Sequence, residues 1–119
     1  MNYQSYSALR PFEACNCVTY VIELDASAMQ DPAYAKKNPG WIAGMPLYYV
    51  GMTSLSPGER FDQHMLGTKN VSRIAHRYGR KLRMDIVTDR KASRRTIALK
   101  KEARLVRDLR VAGCGAWMG

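Results

Sequence analysis

The chain reads as one α/β (α+β) domain, a small three-stranded antiparallel sheet flanked by helices in the order β-β-α-α-β-α. Three observations predict it. Cys17 to Leu24 and Leu47 to Met52 are runs of β-branched and aromatic residues, the composition of strands. The segments after the second run open on good helix caps and close on glycine. Arg94 to Arg110 carries apolar residues at three- and four-residue spacing, the mark of an amphipathic helix. A chain of 119 residues has room for one hydrophobic core, so residues 1–119 are expected to form a single domain.

Each element follows from local chemistry. Residues 1–14 are polar, with Pro11 as a stop, and read as an arm. The first strand spans Cys17 to Leu24. Residues 25–46 hold three prolines, two glycines and Trp41, and read as a loop insertion with a short helix around Ala33 to Lys37. Leu47 to Met52 pairs antiparallel with the first strand. Ser56-Pro57-Gly58-Glu59 is a capping box with proline in the first turn, and that helix runs to about Leu66 before Gly67 stops it. Asn70 or Ser72 caps a second short helix through Tyr78, which Gly79 ends. Leu82 to Thr88 alternates apolar and polar residues, the pattern of a half-buried third strand. Residues 113–119, with glycines at 113, 115 and 119, read as a loose tail.

Composition narrows the function classes. The 46% hydrophobic and 24% charged content is that of a globular protein, and no apolar run is long enough to span a bilayer, so no membrane partner is expected. The N-terminus lacks the pattern of a signal peptide, which predicts a cytoplasmic location. Cys15, Cys17 and Cys114 lack the spacing of a disulfide framework or a zinc site and are expected to be reduced thiols. The net charge of +9 is unevenly spread: residues 1–59 carry three basic and five acidic side chains, residues 60–110 sixteen basic and five acidic. A positive field concentrated at one end points to a polyphosphate partner, nucleic acid above all, with a solubilising surface or an acidic protein partner as the plainer explanations.

One residue breaks the helix pattern. Glu102 lies in the apolar stripe of the last helix, with Ala98, Leu99, Leu105 and Val106 at its three- and four-residue spacings. Burying a carboxylate costs several kcal/mol unless a cation or metal offsets it. Glu102 is therefore expected either to pair with an arginine such as Arg60 or to hold a metal. Arg60 and His64 are four apart and share a helix face; the first can fork onto a phosphate and the second can donate to a phosphate oxygen or a tyrosine hydroxyl. Tyr20 and Tyr49, on neighbouring strands, can face each other across the sheet, as core aromatics or as positioned phenols, with Tyr48 on the opposite face.

Taken together, Val18-Thr19-Tyr20, Tyr49-Val50-Gly51-Met52-Thr53, Arg60-Phe61-Asp62-Gln63-His64 and Glu102 resemble the GIY-YIG nuclease family in order, spacing and element type, over about residues 17–110. The chain departs from the family pattern in carrying Val18 where the first glycine stands, in the long linker between the tyrosines, and in reading Gly113-Cys114-Gly115 where the family has an asparagine beyond the glutamate. The resemblance implies a metal-dependent endonuclease that hydrolyses DNA phosphodiester bonds. Tyr20 would be the general base, Tyr49 and His64 positioning donors, Arg60 the phosphate clamp, and Glu102 the ligand of Mg²⁺ or Mn²⁺. An ordinary phenol, with a pKa near 10, needs a neighbouring cation to serve as a base at neutral pH.

Lys69, Arg73, Arg77, Arg80 and Lys81 form a basic stretch with His76 just after the Arg60 helix and are the expected DNA-backbone contacts. Trp41 is expected to stack on an exposed base or to plug the edge of the core. The alternative function is a catalytically weak nucleic-acid-binding module using the same basic face. A protein partner or homodimer is compatible with the sequence.

Overall fold

The structure, a computed structural model, describes residues 13–68 and 70–119. Residues 1–12 of the expected arm (1–14) and Lys69 lie outside the described residues, while Ala14, expected in the arm, begins β1. In chain order the elements are β1 (Ala14–Leu24), α1 (Pro32–Lys37), β2 (Leu47–Thr53), α2 (Pro57–Leu66), α3 (Arg73–Tyr78), β3 (Gly79–Leu82), β4 (Lys91–Arg94), α4 (Arg95–Val111) and β5 (Gly115–Met118). Short 3-10 turns occupy Ala26–Gln30 and Met84–Ile86. Among the described residues no helix is long and apolar enough to cross a membrane.

Among the described residues the sheet has five strands and is mixed, which corrects the expected three-stranded antiparallel one. β1 and β2 pair antiparallel, as expected, with Tyr20 opposite Gly51 and Ile22 opposite Tyr49. The other edge of β1 is shared end to end by two short antiparallel strands. β3 covers its C-terminal end and β4 its N-terminal end. The single third strand expected over Leu82 to Thr88 does not form. Met84–Ile86 is a 3-10 turn, in which residues three apart share a side, so Met84 and Val87 both reach the core. An apolar pattern this short fits a turn as well as a strand.

The expected loose tail is β5, parallel to β2 from Leu47–Gly115 to Val50–Met118. Its glycines serve geometry. Gly113 adopts φ +93°, and a Cβ on Gly115 would meet Leu47 at 2.5 Å and the Tyr34 hydroxyl at 3.0 Å. The cysteine expectation is also corrected: Cys15 and Cys17 form a disulfide, and Cys114 is a buried free thiol. Alternate strand residues point to one side, and the register shift between Ala14 and Cys17 draws the two Cα atoms to 5.3 Å, within disulfide reach.

Alternation along β1 and β2 splits the core between the two sheet faces. Tyr20, Ile22, Leu24, Leu47 and Tyr49 pack with Tyr34 and with Ile74 and Ala75 of α3. Val21, Tyr48 and Val50 pack with Val106 of α4, with Cys114 and with Ala116 of β5, so Tyr48 takes the structural place expected of it. The 25–46 segment is braced rather than loose. Asp31 caps α1 and receives hydrogen bonds from Arg73 (2.6 Å) and the Tyr78 hydroxyl (3.1 Å). Asn38, buried, accepts from the Ala116 backbone N–H (2.8 Å) and from Arg110 (3.1 Å), and donates to the Tyr34 carbonyl (2.9 Å). Trp41 donates to the Met45 carbonyl and packs against the core, the plainer of its two expected roles.

Replacing Asn38 by Ala strands the Ala116 N–H in the interior. Asn38→Ala is expected to lower stability by about 2–3 kcal/mol, read as a drop in urea midpoint at unchanged slope.

Candidate active site

β1 supplies Tyr20, β2 supplies Tyr49, α2 supplies Arg60 and His64, and α4 supplies Glu102. Local structure aims each one. The Ser56–Glu59 capping box is present as expected, and α2 ends at Gly67 in the left-handed region at φ +71°. His64 is thereby placed one turn from the helix end, where it is fully buried against β1. The buried face of α4 runs Ala98, Glu102, Val106 at four-residue spacing, so Glu102 sits in the stripe that the sequence assigned it.

Tyr20, Tyr49, Arg60 and Glu102 line one cleft of about 330 Å³, joined by Asn70 and Ser72. The Tyr20 hydroxyl is 2.7 Å from His64 Nε2. The Tyr20 and Tyr49 rings lie 6.1 Å apart between centroids, and the His64 ring stands edge-on to Tyr49 at 5.3 Å. Gly51 makes this approach possible. A Cβ there would come within 2.7 Å of the Tyr20 oxygen, so the glycine of the Tyr-x-Gly motif is the space in which the Tyr20 phenol lies. Gly119 is likewise packed against the Tyr49 hydroxyl.

Arg60 is held from two sides. Its Nη1 donates to Gln63 Oε1 and its Nη2 to the Asn70 carbonyl, both at 2.7 Å. Asn70 is in the left-handed region at φ +67°, a conformation that Asn adopts more readily than most residues. These bonds occupy two of the five guanidinium N–H donors. Gln63, Asn70 and Ser72 are site residues that the sequence reading did not assign. Gln63 lies inside the Arg60–His64 turn, one residue from His64, and was legible only as a spacer.

Glu102 is 1% exposed, its Oε1 has no hydrogen-bond partner, and among the described residues no cation pairs with it. The expected alternative, an ion pair with Arg60, is not formed. Burial alone raises the Glu102 pKa to about 7. His64 moves the other way, to about 4, chiefly through burial and then through the Arg60 and His76 charges, so it is neutral at pH 7. Burial and then the Tyr49 phenol push the Tyr20 hydroxyl above the ordinary phenol range, while Arg60 pulls it down. Burial raises the Tyr49 hydroxyl most; the Tyr20 hydrogen bond pulls it down and the Glu102 charge pushes it up.

The basic stretch divides. Arg73 is committed to Asp31, Arg77 lies 5.8 Å over the Tyr78 ring and Arg80 lies 3.4 Å from Asp25. Arg77, Arg80 and Lys81 are exposed. Among the described residues no three His, Cys, Asp or Glu side chains gather into a metal-binding group. A hard divalent cation that keeps most of its waters needs only one or two carboxylates, and the partnerless Glu102 oxygen in the cleft fits that demand. No family model, curated protein or solved structure matches the chain.

The opposed shifts of Glu102 and His64 set a pH signature. Between about pH 4.5 and 6.5 the unfolded chain carries one proton on the histidine and none on the glutamate. The folded chain carries it on Glu102 and leaves His64 neutral. Proton counts match, so these two groups leave stability flat across that window. Glu102 alone, with its folded pKa raised, loses stability as pH rises toward 7; His64 alone, with its folded pKa lowered, loses it as pH falls toward 4. Glu102→Gln is therefore expected to expose a rise in stability with pH of up to about 1.4 kcal/mol per pH unit in that window. Urea midpoints of wild type and variant at pH 4.5, 5.5 and 6.5 measure it, and parallel profiles would refute it.

Proposed function

We propose that this chain is a metal-dependent endonuclease of the GIY-YIG type that hydrolyses DNA phosphodiester bonds. The observation that carries the reading is the cleft itself. It brings two phenols and an anchored arginine together with a buried carboxylate whose Oε1 has no partner among the described residues. A structural role for Glu102 would call for a hydrogen bond or a cation, and among the described residues its Oε1 has no hydrogen bond and no cation pairs with it. The concentration of positive charge in residues 60–110 supports a polyanionic substrate.

In this reading the Arg60 donors left over from Gln63 and Asn70 bind the scissile phosphate, and the two bonds already made fix the guanidinium plane toward it. Tyr20 takes the proton of the attacking water. The His64 tautomer with hydrogen on Nε2 donates to the Tyr20 oxygen and leaves a bare lone pair rather than an N–H at the buried Nδ1, the less costly orphan. Such a donor, with Arg60, works against the burial that raises the Tyr20 hydroxyl, in the direction a base requires. Tyr49 orients the water or a phosphoryl oxygen. Glu102 would hold Mg²⁺ or Mn²⁺, which when bound supplies charge stabilisation to the phosphoryl and leaving oxygens.

Supercoiled plasmid incubated with Mg²⁺, Mn²⁺ or EDTA tests the reading. Metal-dependent nicking is expected, and Glu102→Gln should lower it by about 10²–10³-fold or more while leaving DNA affinity equal or tighter. Cleavage by Glu102→Gln at the wild-type rate would overturn the metal assignment. Binding without cleavage in every metal would make the protein a nucleic-acid-binding module.

A further inference from the structure

A second cavity, of about 520 Å³, opens beside the cleft and shares Met52, Arg60 and Asn70 with it. The Cys15–Cys17 disulfide, Thr53, Ser54, Leu55 and Gln63 line the rest, with Arg95 among the walls. Resting on the endonuclease reading for where the scissile phosphate sits, we infer that this lobe holds the base and sugar of the nucleotide next to that phosphate, and that it takes this nucleotide unpaired.

Position is the first ground. Arg60, fixed by Gln63 and the Asn70 carbonyl, stands on the wall between the two lobes. A phosphate bound there has the reactive groups on one side and the second lobe on the other, and the next nucleoside along the strand must go somewhere close by. Size is the second. The volume lies within the range of pockets that enclose one compact organic ligand, and it is too small for a stacked base pair with its neighbours. Lining chemistry is the third. Leu55 is 40% exposed and Met52 is half-buried, and with the disulfide they offer an apolar wall to the face of a base. Gln63 spends its carbonyl on Arg60 and keeps its amide N–H donors, and the Ser54 hydroxyl adds a group that both donates and accepts. Apolar contact to a base face with a few adaptable polar groups is the recognition that single-stranded sites use. A paired base would have to leave its stack to enter, at a free-energy cost that an unpaired base avoids. The substrate class that follows is DNA with a single-stranded, gapped or branched nucleotide at the cut.

Fluorescence anisotropy in EDTA tests the lobe without cleavage. The probes are a labelled twelve-nucleotide single strand, the same sequence as duplex, and the same strand without bases. The single strand is expected to bind about tenfold tighter than either of the others. Leu55→Ala, a surface change that spares the core, should weaken the natural strand about fivefold and the base-free strand by less than about twofold. Photocrosslinking of a bromodeoxyuridine strand should map to residues 52–55. Equal affinity for natural and base-free strands, a duplex bound as tightly as the single strand, or crosslinks confined to residues 73–81 would each overturn the inference. If these results hold and the plasmid stays uncut, the lobe stands as a single-strand site and the endonuclease reading is what falls.

Discussion

A buried carboxylate whose Oε1 has no partner among the described residues, on the wall of an open cleft, is the feature around which the rest of the site is organised. Glu102 occupies a place on α4 that Ala98 and Val106 mark as core, and among the described residues it gains neither a hydrogen bond to Oε1 nor a cation. Such a group is destabilising on its own, so the fold must hold α4 in place by other means. It does so with the β4 backbone before the helix and β5 after it. β4 is zipped to the start of β1, and β5 is zipped to the strand that bears Tyr49. Both ends of α4 are therefore tied to the two strands whose phenols share the cleft with its glutamate.

Asp31 and Asn38 extend the same logic to the long connection between β1 and β2. A segment rich in proline and glycine becomes a rigid brace because two polar side chains each collect several bonds. Asp31 reaches α3 through Arg73 and Tyr78, and Asn38 reaches α4 and β5 through Arg110 and Ala116. Arg73, drawn by the sequence into a basic stretch, serves this brace as well. Charge density along a chain says where cations are plentiful. It does not say which of them the fold has already spent on its own carboxylates.

The parts legible in the sequence are those decided by neighbours three or four residues away. The capping box at Ser56 and Glu59 and the stripe that includes Glu102 belong to that set, and the shared face of Tyr20 and Tyr49 follows from two-residue alternation along paired strands. What was not legible depends on distant partners. The 82–88 segment alternates like a strand, yet Met84 and Val87 are satisfied by a turn against the far sheet face. The terminal glycines look like slack, but at Gly115 the absent side chain is what admits Leu47 and Tyr34. Cys15 and Cys17 form their disulfide where β1 shifts register against a strand some seventy-five residues away along the chain. Asn70 was legible only as a candidate helix cap, since its contribution to the site is a backbone carbonyl aimed at Arg60.

The contact between Tyr20 and Gly51 has an evolutionary corollary. The phenol fills the volume that a Cβ at position 51 would need, so the two positions form one heritable unit. A chain that keeps tyrosine at 20 is confined to glycine at 51, and a chain that acquires a side chain at 51 must first shed the aromatic ring opposite. Drift through this pair is ordered: loss of the ring opens the path to substitution of the glycine, and the reverse order is closed by sterics. Among descendants of this sequence, a residue other than glycine at 51 would therefore be a marker that the phenol, and any chemistry it performs, had already gone.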